Sequence, residues 1–158
     1  MASEVQIRPG HPNEAGTLSA LMETAIRDGA PAYGEAERAA WLGGPQAATP
    51  RAQRIAAQFV WVADAPGDGP VGFMTMIPDG EIDFAYILPR WQGRGLFPRL
   101  YAALEAHARG LGLRELVVYA SLMADGPFAR AGFALEREDP VQIGGVELKR
   151  WLMRKSLT

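Results

Sequence analysis

The sequence predicts an α+β fold: a mixed, mostly antiparallel sheet with helices packed on both faces. Three observations predict it. Short β-prone runs at residues 59–63, 71–77 and 81–88 are joined by turn sequences, Pro66-Gly67-Asp68-Gly69-Pro70 and Pro78-Asp79-Gly80, as hairpin strands are. Leu18, Leu21, Met22, Ala25 and Ile26 recur at helical spacing, as do Leu100, Leu104, His107 and Leu111. Between the last hairpin strand and the second of these helices lies a glycine-rich turn, Gln92-Gly93-Arg94-Gly95.

Taken in order, residues 5–8 read as a short strand. Pro9-Gly10-His11-Pro12 turns into the first amphipathic helix, which Gly29 ends. Residues 35–42 form a short second helix, broken by Gly43-Gly44-Pro45. Thr49-Pro50 supplies an N-cap and a first-turn proline for a third helical piece reaching Gln58. The three hairpin-linked strands follow. After the glycine turn, a helix over residues 100–108 is stopped by Gly110 and Gly112. Residues 115–119 are a β-branched strand, and residues 123–131 a short helix closed by Gly132. Residues 133–138 form a strand, and Ile143-Gly144-Gly145-Val146 a two-residue hairpin turn that returns as residues 147–154. No composition break divides the chain, so one domain over residues 1–158 is expected.

Composition excludes several function classes. There is no cysteine, hence no disulfide, thiolate metal site or cysteine nucleophile. His11 and His107 are the only histidines, too few for a multi-histidine metal site, and His107 beside Glu105 and Arg109 reads as a solvated helix-surface residue. The net charge of −2 argues against nucleic acid as the main partner. No apolar run approaches the roughly 20 residues that span a bilayer, and no leader-like h-region opens the chain, so a soluble, cytoplasmic protein is expected.

The glycine turn sits between a strand and a helix N-terminus. Glycine lets the backbone approach closely there, and the first N–H groups of the helix point outward with the positive dipole end. Such a turn accepts a pyrophosphate.

The order of strand, glycine turn, helix, strand and short helix resembles the GNAT N-acetyltransferase superfamily. Its acetyl-CoA loop reads Q/R-x-x-G-x-G/A, and the aligned run here is Gln92-Gly93-Arg94-Gly95-Leu96-Phe97. Residues 81–89 look like the family's fourth strand with its closing hydrophobic-x-Pro. Ala120-Ser121-Leu122-Met123-Ala124 followed by Pro127-Phe128-Ala129-Arg130-Ala131-Gly132-Phe133 is similar to its second motif. The Tyr33-x(7)-Trp41 spacing resembles a bacterial subgroup. The resemblance implies fourth and fifth strands that splay apart to admit acetyl-CoA. Its pantetheine would pair with backbone near Tyr86, Ile87 and Leu88. Its pyrophosphate would rest on the N–H groups of Gly93, Arg94, Gly95, Leu96 and Phe97, with Arg94 adding a charge-assisted contact. No metal is implied.

The resemblance also implies direct attack by an amine of a small molecule or protein, without a covalent enzyme intermediate. Period-two geometry puts Glu81, Asp83 and Ala85 on one strand face. Some family members carry a base glutamate six positions before the strand's closing hydrophobic residue. Counting back from Ile87 gives Glu81 as the base, with Asp83 in reserve. The other reading is that both carboxylates decorate a solvent-facing strand. The family's proton-donating tyrosine aligns with Phe128, which has no hydroxyl. That leaves Ser121, aligned with a frequent asparagine and placed to contact the pantetheine or the thiolate of the coenzyme, and Tyr119 as donors, or water. Tyr33, Trp41 and Trp151 are candidate aromatic walls of an acceptor pocket between the first helical region and the last hairpin, with core packing as their other role.

Two further departures bear on the coenzyme. Phe97 replaces a small residue and Pro98 removes one backbone donor; the loss of one hydrogen bond predicts binding weaker by about 1 kcal/mol. With Phe128 they leave a second expectation open: a degenerate relative that holds acyl-CoA with little or no turnover. Monomer and homodimer are both expected possibilities, the last hairpin being the pairing surface.

Overall fold

The computed structural model describes residues 4–158. The strands are β1 (Gln6–Pro9), β2 (Phe59–Ala65), β3 (Gly69–Met76), β4 (Glu81–Ile87), β5 (Glu115–Ser121), β6 (Ala134–Glu138), β7 (Val141–Ile143), β8 (Val146–Leu148) and β9 (Arg150–Ser156). The helices are α1 (Ala15–Gly29), α2 (Glu35–Leu42), α3 (Ala48–Ala56), α4 (Leu96–Gly110) and α5 (Asp125–Arg130). Seven strands make one sheet in the order β1-β2-β3-β4-β5-β9-β6, and β7-β8 stand apart as a small hairpin. Every neighbouring pair in the large sheet is antiparallel except β4 and β5.

Apolar periodicity sends the helices to opposite faces. On one face α4 buries Leu100 and Leu104 completely against Met74, Leu116 and Met153. Each such leucine contributes on the order of 2 kcal/mol of hydrophobic stabilisation. On the other face Leu18 and Ile26 of α1 and Ile55 of α3 close over Phe73 and Phe84. The two cores share the sheet between them.

The sheet has a seam. β4 and β5 pair only at Glu81↔Val117 and Ile82↔Val118, although β4 runs on to Ile87 and β5 to Ser121. Between Met74↔Ala85 and Met76↔Ile82, β4 spends one residue more than β3. This β-bulge bends β4 and raises its twist, which carries its second half away from β5. The strands therefore splay as the resemblance implies.

The bulge also corrects the expected facing. Ile82 and Ala85 both join the α4-side core, whereas Phe84 and Tyr86 join the α1 side. Glu81 and Asp83 keep a common face, but Ala85 does not share it: strict alternation fails where an extra residue enters the strand.

Other expectations shift by a residue or more. The helix after the glycine turn starts at Leu96, one turn earlier than residue 100. The third helix starts at Ala48 after a 3-10 turn over Pro45–Ala47, so Thr49-Pro50 lies inside the first turn and Thr49 is not the cap. Gly144 and Gly145 do form a two-residue turn, both with positive φ (56° and 79°). The returning strand is broken, however, into β8 and β9 at Lys149, whose carbonyl accepts a hydrogen bond from the Tyr33 hydroxyl at 2.6 Å. His107 is not solvated: its ring lies 4.5 Å from that of Phe59 and 5.4 Å from that of Trp61, with Nε2 buried. Its spacing, in phase with Leu100, Leu104 and Leu111, puts it on the packed side of α4.

Candidate active site

Where β4 and β5 part, a cavity of about 570 Å³ opens. Its walls come from the end of β4 (Ala85, Tyr86, Ile87), the glycine turn and the first turn of α4. Ser121 and α5 close the opposite side. Gly93 and Gly95 have φ of 72° and 79°, which only glycine adopts without strain, and a Cβ at either would meet nothing within 4 Å. The turn is thus bare backbone facing open space. The first N–H groups of α4 have no acceptor within the helix, and Pro98 contributes none. Gln92 braces the turn by donating from Nε2 to the Ile87 carbonyl at 3.0 Å.

Phe97 leaves this cavity open. Its ring meets Phe128 edge-on with centroids 4.9 Å apart, and Phe128 in turn packs on Phe133. A large residue is accommodated because it turns into the core rather than across the gap.

A second cavity, of about 750 Å³, lies on the α1 side of the seam. Tyr33, Trp41, Glu81, Asp83 and Tyr119 line it, and the β7-β8 hairpin with Lys149 and Arg150 forms its far wall. Trp41, Ala85, Tyr86, Ser121 and Ala124 line both cavities. The two spaces meet there.

The two predicted carboxylates differ in state. Asp83 is gripped: Arg54 donates to it through Nε (2.7 Å to Oδ2) and Nη2, and Gln58 Nε2 donates at 2.6 Å. Gln58 accepts from Thr75 Oγ1 at 2.6 Å, and that oxygen accepts the Phe84 N–H at 3.0 Å. The buried Thr75 hydroxyl therefore satisfies an amide inside the bulge, where the ladder with β3 is interrupted. Glu81 is half-buried and has no ion pair within 4 Å among the described residues. Burial pushes its carboxyl above the usual range, the charges of Asp83 and Asp79 push the same way, and Arg54 and Arg150 partly oppose them.

The structure brings together Glu81, Asp83, Tyr86, Tyr119, Ser121, Tyr33 and Trp41, and separates others from them. Tyr33 is both wall and tie: its buried hydroxyl donates to Lys149 O and accepts the Leu122 N–H at 2.9 Å, and burial pushes its acidity down, that is, its pKa up. Tyr119 carries the Arg150 guanidinium over its ring at 4.6 Å. Ser121 Oγ accepts the Met123 N–H at 3.2 Å. Leu88 lies outside both cavities, and its N–H and carbonyl are already bonded to Val71 O and Trp91 N–H, so it is a poor partner for an added strand. Arg94 stacks on Trp91 at 4.8 Å and lines neither cavity. Trp151 is corrected outright as a pocket wall. Its register partner Ala120 belongs to the α4-side core, and Trp151 packs there, outside both linings. Arg54, Gln58, Thr75, Lys149 and Arg150 were not legible as site residues, because isolated polar residues in strands and on a helix carry no spacing signal.

The comparisons agree with this geometry. The family model described as an acetyltransferase (GNAT) domain matches residues 30–156. A crystal structure described as a GCN5-related N-acetyltransferase from Rhodopseudomonas palustris is 30% identical, with a TM-score of 0.90 over 97% of this chain and 96% of that one. The PaiA N-acetyltransferase of Thermoplasma acidophilum, solved with coenzyme A, has a TM-score of 0.73 at 17% identity, covering 96% and 98% of the two chains. YncA, a putative acetyltransferase of Salmonella typhimurium solved with acetyl-CoA, has a TM-score of 0.65 at 19% identity, covering 98% and 95%. No curated protein sequence matches significantly. This chain belongs to the GNAT acetyltransferase family. Among the described residues no cluster of metal-ligating side chains is present, and no helix is long and apolar enough to cross a membrane.

Proposed function

We propose that this protein transfers the acetyl group of acetyl-CoA to an amine by direct attack. The observation that carries the reading is the junction of the two cavities at Trp41, Ala85, Tyr86, Ser121 and Ala124, with Glu81 lining the acceptor side. The coenzyme side fits its ligand: a widened strand edge at Tyr86 and Ile87, then bare backbone at Gly93 and Gly95, then the open turn at Leu96 and Phe97.

When bound, acetyl-CoA supplies a thioester whose carbonyl carbon forms the new N–C bond as the C–S bond breaks and sulfur leaves with the electron pair. The chain's own work is to handle two protons. Glu81, held above the usual carboxylate range, takes the first from the acceptor ammonium and frees its lone pair. The second goes to the departing sulfur, for which Ser121 Oγ and the Tyr119 hydroxyl are the candidate relays. Asp83, fixed by Arg54 and Gln58, keeps the bulged strand in place and raises Glu81's proton affinity through its charge.

A second reading, acyl-CoA binding without turnover, is favoured by one observation: Phe128 is fully buried and offers no hydroxyl. Thiol release from acetyl-CoA across an amine panel, with coenzyme binding measured by calorimetry, separates the two. Amine-dependent thiol release supports transfer. Binding with no release on any amine supports the second reading, and absence of binding overturns both.

A further inference from the structure

The charges lining the acceptor cavity do not cancel one another at random. Arg51 is tied to Glu23 (3.1 Å), Ser19 and the Leu42 carbonyl. Arg54 is tied to Asp83. Arg150 donates to the Asp139 carbonyl at 2.7 Å and to its carboxylate at 3.0 Å. Once these pairs are set aside, two charged residues lining this cavity have no ion pair within 4 Å among the described residues: Glu81 and Lys149. One is an acid at the start of β4, four residues before Ala85 at the cavity junction; the other is a base next to the hairpin. Much of the rest of the lining is apolar, with Trp41, Phe84, Val141, Ile143 and Leu148.

We infer that the acceptor is an apolar amine that also carries an anionic group, such as the carboxylate of a free amino acid. The inference rests on the acetyl-transfer reading and specifies its substrate. Glu81 receives the ammonium end and Lys149 the anionic end, so one molecule neutralises both unpaired charges. A dication such as a polyamine would match Glu81 but leave its second charge facing Lys149 and the guanidinium of Arg150. A neutral amine would leave Lys149 without a partner. Glu81 is half-buried and Lys149 exposed, so the contact at Glu81 is the better shielded of the two and the one at Lys149 mainly selects between acceptors of different charge. Chemistry balances as before. The ammonium gives one proton to Glu81 and one to the sulfur, and the anionic group undergoes no change.

The test compares each apolar amino acid with its carboxamide and its decarboxylated amine, scored by kcat/KM for thiol release from acetyl-CoA. The acid is expected to exceed both neutral forms by about two- to fivefold, the worth of a charge pair at an exposed lysine. Lys149→Ala should bring the acid down to the level of its amide, and Lys149→Glu should reverse the order. Neither substitution touches the backbone carbonyl that Tyr33 holds, so the melting temperature is the control for folding. Amides or decarboxylated amines used as well as the acids would overturn the inference while leaving acetyl transfer standing. A preference for acids that survives Lys149→Glu would overturn the assignment of Lys149. No release from any compound despite coenzyme binding would instead sink the acetyl-transfer reading beneath it.

Discussion

Phe97 and Phe128 meet edge to face, ring centroids 4.9 Å apart and planes at 83°. Each stands where the family pattern has a different residue, a small one in the coenzyme loop and a tyrosine on the short helix. Their contact makes the two departures one packing unit. Phe97→Ala removes that contact and should lower stability by about 1–3 kcal/mol, below the cost of a fully buried ring because Phe97 is half-buried. Coenzyme A should bind the variant at least as tightly as the parent, by calorimetry. A tenfold loss of affinity would show that the ring supports the ligand directly.

Glu81→Gln separates chemistry from folding. Loss of a general base costs about 10²–10⁴ in rate, and coenzyme affinity should be unchanged. The linkage sign runs against the usual carboxylate. Its folded pKa is raised, so its contribution to stability is fully present at low pH and lost as pH rises through that raised value. The variant should therefore melt no lower than the parent at neutral pH. For the parent, turnover should fall as pH drops through the raised Glu81 value. A variant with full turnover would remove Glu81 from the mechanism.

Thr75→Val keeps the shape and deletes the hydroxyl that joins Gln58 to the Phe84 amide. Leaving a buried N–H unpaired costs about 1–3 kcal/mol. Because that amide belongs to the bulge, kcat should fall together with melting temperature, whereas coenzyme affinity should hold. Unchanged kcat in a destabilised variant would confine Thr75 to folding.

Acid sensitivity should come from Glu14 and Glu105. Hydrogen bonds from Arg8 lower Glu14 to about 2, and those from Lys155, then Tyr101 and Arg109, lower Glu105 to about 2. Lowered carboxylates give stability that is present above the ordinary value near 4.5 and lost as pH falls toward 2. Glu105→Gln should flatten that part of the stability profile, measured by urea unfolding between pH 5 and 2.

Most of the fold could be read from apolar periodicity and turn residues. The short helix Glu35–Leu42 falls where its sequence puts it, between Gly34 and the left-handed Gly43. What escaped was set by tertiary contacts. The bulge in β4 leaves no mark on an alternating Glu-Ile-Asp-Phe-Ala-Tyr run, because the threonine that stabilises it lies on another strand. The break at Lys149 depends on a tyrosine far away in the chain. Glu81, singled out by the family's count from the strand end, does line the second cavity, but its unpaired state was not legible. That state exists because Arg54 and Gln58 both choose Asp83. Trp151 was misplaced because a strand tryptophan fits either face until its register is known.

The seam between β4 and β5 coincides with a seam in the chain. Every strand on one side of it precedes residue 88, and every strand on the other follows residue 114. Two residue pairs and the Val117 N–H bond to Gly80 carry the ladder across. A ligand lying in the opening would act as a missing rung, so the reactant doubles as a girder. Saturation at a hundred times its dissociation constant adds about 2.7 kcal/mol to the folded state by mass action, and the idle protein is correspondingly the more perishable form.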